Sequence, residues 1–193
     1  MSEQPRRRGR PGNSRADIVS AAEEQFLLRG IAETSISQIS QALNITKSAV
    51  YHHVASKGEL IAAVAERAQH TCSSIVTLSV EGEDDGLDIL KNMVWELTVA
   101  LAEDRGSLRL AVAATGSEEL GAPLRTVREY LRGELITHVD AARSAQRLSS
   151  ALRSLVIAEL IISSCVTTAA CYEGDPEDAA DMALSYVFQG LRA

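Results

Sequence analysis

The chain has 193 residues, and its 46% hydrophobic and 23% charged residues are the ordinary mix of a soluble globular protein with one or two domains. Three cysteines, an odd number without regular spacing, exclude a disulfide framework and favour a reduced, cytoplasmic compartment. The formal net charge of −7 is unevenly divided: residues 1–57 carry eight Lys/Arg and five Asp/Glu, a net +3, and the rest carry 11 and 21, a net −10. An anionic partner is therefore expected at the N-terminal part.

Two segments could be taken for a signal peptide or a transmembrane helix, but the sequence of neither fits. The N-terminal arginines are not followed by an apolar run, so they do not form a signal peptide. The longest apolar region, residues 155–166, is interrupted by Glu159 and is too short to cross a bilayer. We therefore expect a cytoplasmic protein with no membrane partner.

Residues 1–13 are predicted to be a disordered basic arm, because four arginines alternate there with prolines and glycines. The Arg-Gly-Arg-Pro core is similar to an AT-hook, which would lay Arg8 and Arg10 in a narrow A·T minor groove. The alternative is a tail that adds only unspecific attraction to phosphate. The sequence leaves both interpretations open.

The composition predicts an all-α fold of about nine helices, because Gly and Pro are sparse, helix-favouring residues are plentiful, and no strand pattern occurs. The first helix is expected to begin after Ser14 as N-cap, with Asp17 three residues on. It is expected to end at Gly30 in a left-handed conformation.

Residues 35–57 predict two short helices joined by a three-residue turn. In a helix-turn-helix of this kind the second helix lies in the DNA major groove. Ser35 and Gln38 form a capping box for the first of the two helices. Asn44 suits a left-handed turn, and Thr46 caps the second helix.

The second of these helices leaves a polar, basic and aromatic face outside once Val50 and Val54 are turned into the core. Lys47 can donate to guanine or phosphate, and Ala49 can contact a thymine methyl group. The helical residues that we expect to contact DNA are Ser35, Thr46, Lys47, Ser48, Ala49, Tyr51, His52 and Lys57. The alternative is a generic three-helix cap with a polar face.

Two stretches of this region resemble the TetR family of transcriptional regulators. They read TSISQIS at 34–40 and ITKSAVYHHVASKGEL at 45–60, and the second is similar to the family pattern V-S-K-G-T-L-Y-H-H-F-x-S-K-E-E-L. The departures from the family pattern are Ser48 for Gly, Val54 for Phe, Gly58 for Glu and Asn44 for the turn Gly. The resemblance implies a DNA-binding domain at 14–58 and a helical ligand-binding and dimerisation domain at 59–193.

The C-terminal part reads as a series of amphipathic helices, beginning with a long helix from about residue 57 to 78 that Ser56 caps. The apolar stripes of two later helices are Leu87, Leu90, Val94, Leu97 and Leu101, and Leu124, Val127, Leu131 and Leu135. The last two helices are too apolar to face solvent. They predict a homodimer that buries them in a two-fold four-helix bundle, with burial inside one chain as the alternative.

A ligand pocket is predicted between the helices of this part, where a few polar groups accompany apolar ones. Its expected lining residues are Met93, Trp95, Leu97, Leu101, Tyr130, Leu131, Glu134, His138 and Glu159. The alternative is that each of these is an ordinary core or rim residue.

The leading functional hypothesis is a dimeric repressor that binds a palindromic double-stranded operator and is released by an unknown small molecule. Release requires that the ligand prefer the conformation that does not bind DNA. A constitutive or architectural DNA-binding dimer without a ligand is the alternative. We expect no enzyme, cofactor or metal site, since no phosphate loop, metal-spaced His/Cys cluster or nucleophile elbow occurs in the sequence.

Overall fold

The structure is a computed structural model that describes residues 14–83, 85–103, 106–115, 121–148 and 151–190. The basic arm, with Arg8 and Arg10, lies outside these residues. The described residues form nine α-helices and no strands, which confirms the all-α prediction. The helices are α1 (Arg15–Arg29), α2 (Ile36–Ala42), α3 (Lys47–Tyr51), α4 (Lys57–Val80), α5 (Gly86–Ala102), α6 (Gly106–Ala113), α7 (Ala122–Ser144), α8 (Ser154–Cys171) and α9 (Pro176–Gly190).

The first four helices begin at the N-caps that the sequence predicts. The side-chain oxygens of Ser14, Ser35, Thr46 and Ser56 accept hydrogen bonds from backbone N–H groups three residues on, at 3.1, 3.4, 3.2 and 3.1 Å. Each bond satisfies a backbone donor that the helix itself leaves without a partner. The local sequence therefore determines where these four helices begin.

The two turns of the N-terminal part require positive φ angles. Asn44 has φ 53°, which confirms the predicted left-handed turn between α2 and α3. Gly30 ends α1 with φ 85° and ψ 155°, so the expected left-handed helical cap is wrong in ψ although φ is positive. A glycine accepts this extended conformation because it has no Cβ.

Helices α1–α3, which we call the head, pack on one another through α2 and form the N-terminal part of the hydrophobic core. Ile18, Phe26, Ile39 and Val50 are buried there, each with at most 1% of its surface exposed. The head packs on the remaining helices mainly through α1, which contacts α4 and α6. The position of α3 relative to the rest of the chain therefore depends on α1.

Helices α4–α9, which we call the body, are arranged around α5, which contacts α4, α7, α8 and α9. The predicted stripes of α5 and α7 are buried except for Leu87, which is half-buried. Helix α8 is longer than the predicted apolar region: its 18 residues have a mean hydropathy of 1.8, enough by length and composition to cross a bilayer. The expectation that it is too short is therefore wrong, but one side of the helix packs against α5, α7 and α9, and 39% of its residues are buried.

Candidate DNA interface and effector domain

Helix α3 is a short helix that packs on the core with one side and is exposed to solvent on the other. Val50 and Val54 anchor it, with 0% and 2% of their surfaces exposed. Lys47, Ser48, Tyr51 and His52 are exposed, and Ala49 is half-buried beside them. A face of this size and polarity fits the major groove of DNA.

The outer face of α3 is not engaged within the chain. Among the described residues, no hydrogen bond or ion pair is formed by the side chains of Lys47, Ser48, Tyr51 or His52. Tyr51 is 53% exposed although its ring is large and apolar. Side chains in this state are available to a partner without breaking any internal interaction.

Three of the other predicted DNA contacts already have roles in the fold. The hydroxyl and backbone N–H of Ser35 both bond to the Gln38 side chain, and Thr46 caps α3. The Lys57 ammonium group donates to the carbonyl of Ala32 at 2.9 Å, which ties the start of α4 to the turn after α1. A phosphate at Lys57 would share or replace this bond.

Comparison with known proteins places this head in a family. Residues 18–64 match the family described as "Bacterial regulatory proteins, tetR family". The head of this chain therefore matches the TetR family, over 47 of the 193 residues. The matched segment begins in α1 and ends within α4, so it includes the whole of α2, α3 and the turn between them.

Individual relatives agree with this assignment. The chain is 30% identical over 98 residues to the "HTH-type transcriptional regulator TtgR" of Pseudomonas putida, a match that covers 50% of this chain and 47% of that protein. The chain thus spans about half the length of the curated relatives it matches.

Two solved structures share the fold over nearly the whole chain. The TetR-family member SCO3833 from Streptomyces coelicolor has a TM-score of 0.79 and 20% identity, with 91% of both chains covered. AibR, solved in complex with isovaleryl coenzyme A and operator DNA, has a TM-score of 0.74 and 19% identity, with 90% of this chain and 97% of AibR covered. At these identities the likeness establishes the TetR fold alone.

The predicted pocket residues of the body fall into two groups. Met93, Leu97, Leu101 and Leu131 are packed into the core, with at most 1% of their surfaces exposed. The half-buried ones are Trp95, Tyr130, Glu134, His138 and Glu159. Trp95 lies two residues from both Met93 and Leu97 and so points to another side of α5. The nine residues therefore do not share one surface.

Glu159 has partners that the sequence did not suggest. The Arg128 guanidinium donates to Oε1 and Oε2 of Glu159, at 3.2 and 2.5 Å, and the Arg132 guanidinium lies 3.5 Å from Oε1. The Nε of Arg128 also donates to the Val112 carbonyl at 2.9 Å, at the end of α6. This polar cluster joins α6, α7 and α8.

His138 is the other titratable residue among the predicted pocket residues. Partial burial lowers the pKa of its imidazole, and the nearby Glu134 carboxylate opposes that shift. The side chain is therefore mainly neutral at pH 7, in which state one ring nitrogen can accept a hydrogen bond.

Two clefts lie elsewhere and border α4. An open cleft of about 860 Å³ between α1, α4 and α6 is lined by polar residues that include Arg15, Glu23, Glu66, Arg67, His70 and Ser107. A smaller one of about 310 Å³ lies between α4 and α5. None of the nine predicted pocket residues lines either cleft. The first cleft could not be predicted from the sequence, because its walls come from helices about 40 to 90 residues apart.

Proposed function

We propose that this protein is a DNA-binding transcriptional regulator. Residues 14–58 would form its DNA-binding domain, and residues 59–193 its helical ligand-binding and dimerisation domain. The observation that carries the proposal is the exposed face of α3, whose four polar side chains have no partner among the described residues. The TetR-type head around that face and the "HTH-type transcriptional regulator" relatives support it. Such a regulator is not an enzyme and works in the cytoplasm, where the DNA is.

DNA binding is tested by gel-shift titration against duplexes selected from a random pool. Lys47→Ala and Tyr51→Ala are expected to weaken binding by about tenfold or more, because each removes a groove or phosphate contact. Lys91→Ala is the matched control, since Lys91 lies on α5 of the body and pairs with Asp88. Equal affinities of Lys47→Ala and the wild type would contradict the proposed interface.

We propose further that the regulator is a homodimer that binds a palindromic operator. Helices α8 and α9 leave large apolar side chains exposed, and the loop before α8 adds another: Leu152, Leu155, Leu160, Met182 and Tyr186. Burying such a patch against its two-fold copy removes it from water and joins two α3 helices in one symmetric assembly.

Sedimentation of a charged variant tests the dimer. Leu160→Glu is expected to convert the protein to a monomer, because Leu160 is 49% exposed in the middle of the α8 surface. Leu78→Glu is the control, since Leu78 is 52% exposed on α4. A Leu160→Glu variant that still sediments as a dimer would place the interface elsewhere.

The finer proposal is repression that a small molecule relieves. AibR, which shares the fold, was solved in complex with isovaleryl coenzyme A and operator DNA, which supports a small-molecule site in a DNA-binding protein of this fold but not the release itself. A constitutive DNA-binding dimer is the second candidate, and the dense packing of Met93, Leu97, Leu101 and Leu131 favours it. A thermal-shift screen separates the two, since a compound that binds the folded state raises Tm. If a hit also weakens DNA binding, a ligand-released regulator is supported; a screen without hits supports the constitutive dimer.

A further inference from the structure

Three helices meet at Glu23, where the head joins the body. The Arg67 guanidinium, from α4, donates to the Glu23 carboxylate at 3.2 Å and to the Ser20 hydroxyl at 3.0 Å. Its other terminal nitrogen donates to the Ala16 carbonyl at 3.1 Å. The Glu23 side chain is only 13% exposed, so this bond is shielded from solvent more than a surface ion pair is.

Helix α6 abuts the same place from the body. A Cβ added at Gly106, the first residue of α6, would lie 3.3 Å from the Glu23 Cβ and 3.5 Å from a methyl carbon of Leu27. The φ angle of Gly106 is not in the left-handed region, so the backbone accepts an alanine there. The absence of a side chain is what lets α6 approach α1 so closely.

The other end of α6 is also fixed. Arg128 donates to the Val112 carbonyl near the C-terminus of α6 and holds Glu159 of α8 with the same guanidinium. Helix α6 has eight residues and is about 12 Å long. It therefore spans from the α7–α8 cluster to α1, with a polar anchor at one end and a close steric contact at the other.

We propose that Glu23 and Gly106 are positioning residues: they fix the angle of the head on the body, and α6 is the strut that carries this angle from α8 to α1. Helices α2 and α3 follow α1 because α2 packs against both α1 and α3, with Ile18, Phe26, Ile39 and Val50 all buried. A shift of α6 against α1 therefore displaces α3. This inference rests on the proposed function.

In a two-fold dimer the angle of each head sets the distance between the two α3 helices. A palindromic site is bound well only when its half-site spacing matches that distance, about 34 to 36 Å for adjacent major grooves. Removing the Glu23 carboxylate should loosen the contact of α1 with α4, so that the protein discriminates less between half-site spacings. Adding a methyl group at Gly106 should push α6 away from α1 and so change the half-site spacing that the protein prefers.

The test measures affinity for palindromic duplexes, selected with the wild type, in which the half-site spacing is changed by one base pair at a time. Glu23→Ala is expected to reduce the discrimination between the best and the neighbouring spacings by about two- to thirtyfold. Glu23→Gln should restore it, because an amide oxygen still accepts from Arg67. Gly106→Ala should shift the preferred spacing or weaken binding at the original one, with a wild-type Tm.

The control is Arg147→Gln, which removes an ion pair to Asp85, 2.7 Å away, within the body and should leave the spacing profile unchanged. Folded Glu23→Ala and Gly106→Ala proteins with wild-type spacing profiles would overturn the inference. An equal loss of affinity at every spacing would overturn it too, since that is the effect of simple destabilisation. A wild type that binds no duplex would instead contradict the proposed function, and the inference with it.

Discussion

The head and the body present their polar residues in opposite ways. On the head, Lys47 and Tyr51 point outward and have no partner within the described chain. In the body, Glu159 is held by two arginines. The exposed face of the capped helix α3 can be predicted from local sequence, whereas the polar contacts of the body depend on helices that are distant in sequence.

The largest expected effect comes from removing the packing that holds the head together. Phe26→Ala should lower the free energy of unfolding by about 3 to 5 kcal/mol, because Phe26 is 1% exposed at the centre of the head core. Urea denaturation and DNA binding should both report the loss. Leu28→Ala is the matched control in the same helix, with a side chain that is 72% exposed and an expected effect within about 0.5 kcal/mol. Similar effects of the two variants would contradict the position of α1.

The second prediction concerns the polar cluster of the body. Arg128→Ala should lower the free energy of unfolding by about 1 to 3 kcal/mol, because it removes both hydrogen bonds from Arg128 to the Glu159 carboxylate and the donor to the Val112 carbonyl. Arg132→Ala should cost less, since Arg132 makes a single 3.5 Å contact to Glu159. Chemical denaturation measures both, and a larger loss in Arg132→Ala would show that the cluster is arranged differently.

A smaller effect is expected at two left-handed residues, one in each region. Asn44 and Gln146 have φ angles of 53° and 58°. Glycine at either position should stabilise the protein by up to about 1 kcal/mol, because a left-handed backbone costs any residue with a Cβ roughly that much. Thermal melts of Asn44→Gly, Gln146→Gly and Asn44→Ala measure this, and the alanine variant should be the least stable. The gain should be larger for Gln146→Gly, since asparagine tolerates the conformation better than glutamine does.

This pair also shows what the sequence reveals and what it does not. The left-handed conformation of Asn44 is predictable because it lies in the turn between two short helices and asparagine is the non-glycine residue that best tolerates this backbone, but nothing local indicates it for Gln146. The helices, their caps and their buried stripes follow from spacing and side-chain type, so the fold and the face of α3 could be predicted. The partners of Glu159 and the contact of Gly106 with α1 could not, because they depend on how helices from different parts of the chain cross.

The smallest expected effect is the pH dependence that Glu23 adds to stability. Burial raises the pKa of its carboxyl above the ordinary value of 4.5, with Glu24 adding to the shift and Arg67 opposing it. A carboxyl whose folded pKa is raised stabilises the fold at low pH, and this contribution is lost as the pH rises through 4.5 and the raised pKa. Glutamine does not ionise. The Tm of Glu23→Gln relative to the wild type should therefore increase by a few degrees at most between about pH 4 and pH 7.

Thermal melts at the two pH values test this, with Glu33→Gln as the control because Glu33 is exposed in the turn after α1. A Tm difference that falls with pH would mean that the bond to Arg67 outweighs burial and lowers the pKa of Glu23. That result would leave the contact between Glu23 and Arg67 in place. It would mean that the negative charge of Glu23, and not only its hydrogen bond, fixes the position of the head on the body. Glu23→Gln would then fail to restore the spacing preference that Glu23→Ala loses, so the melts and the DNA titrations test the same contact in independent ways.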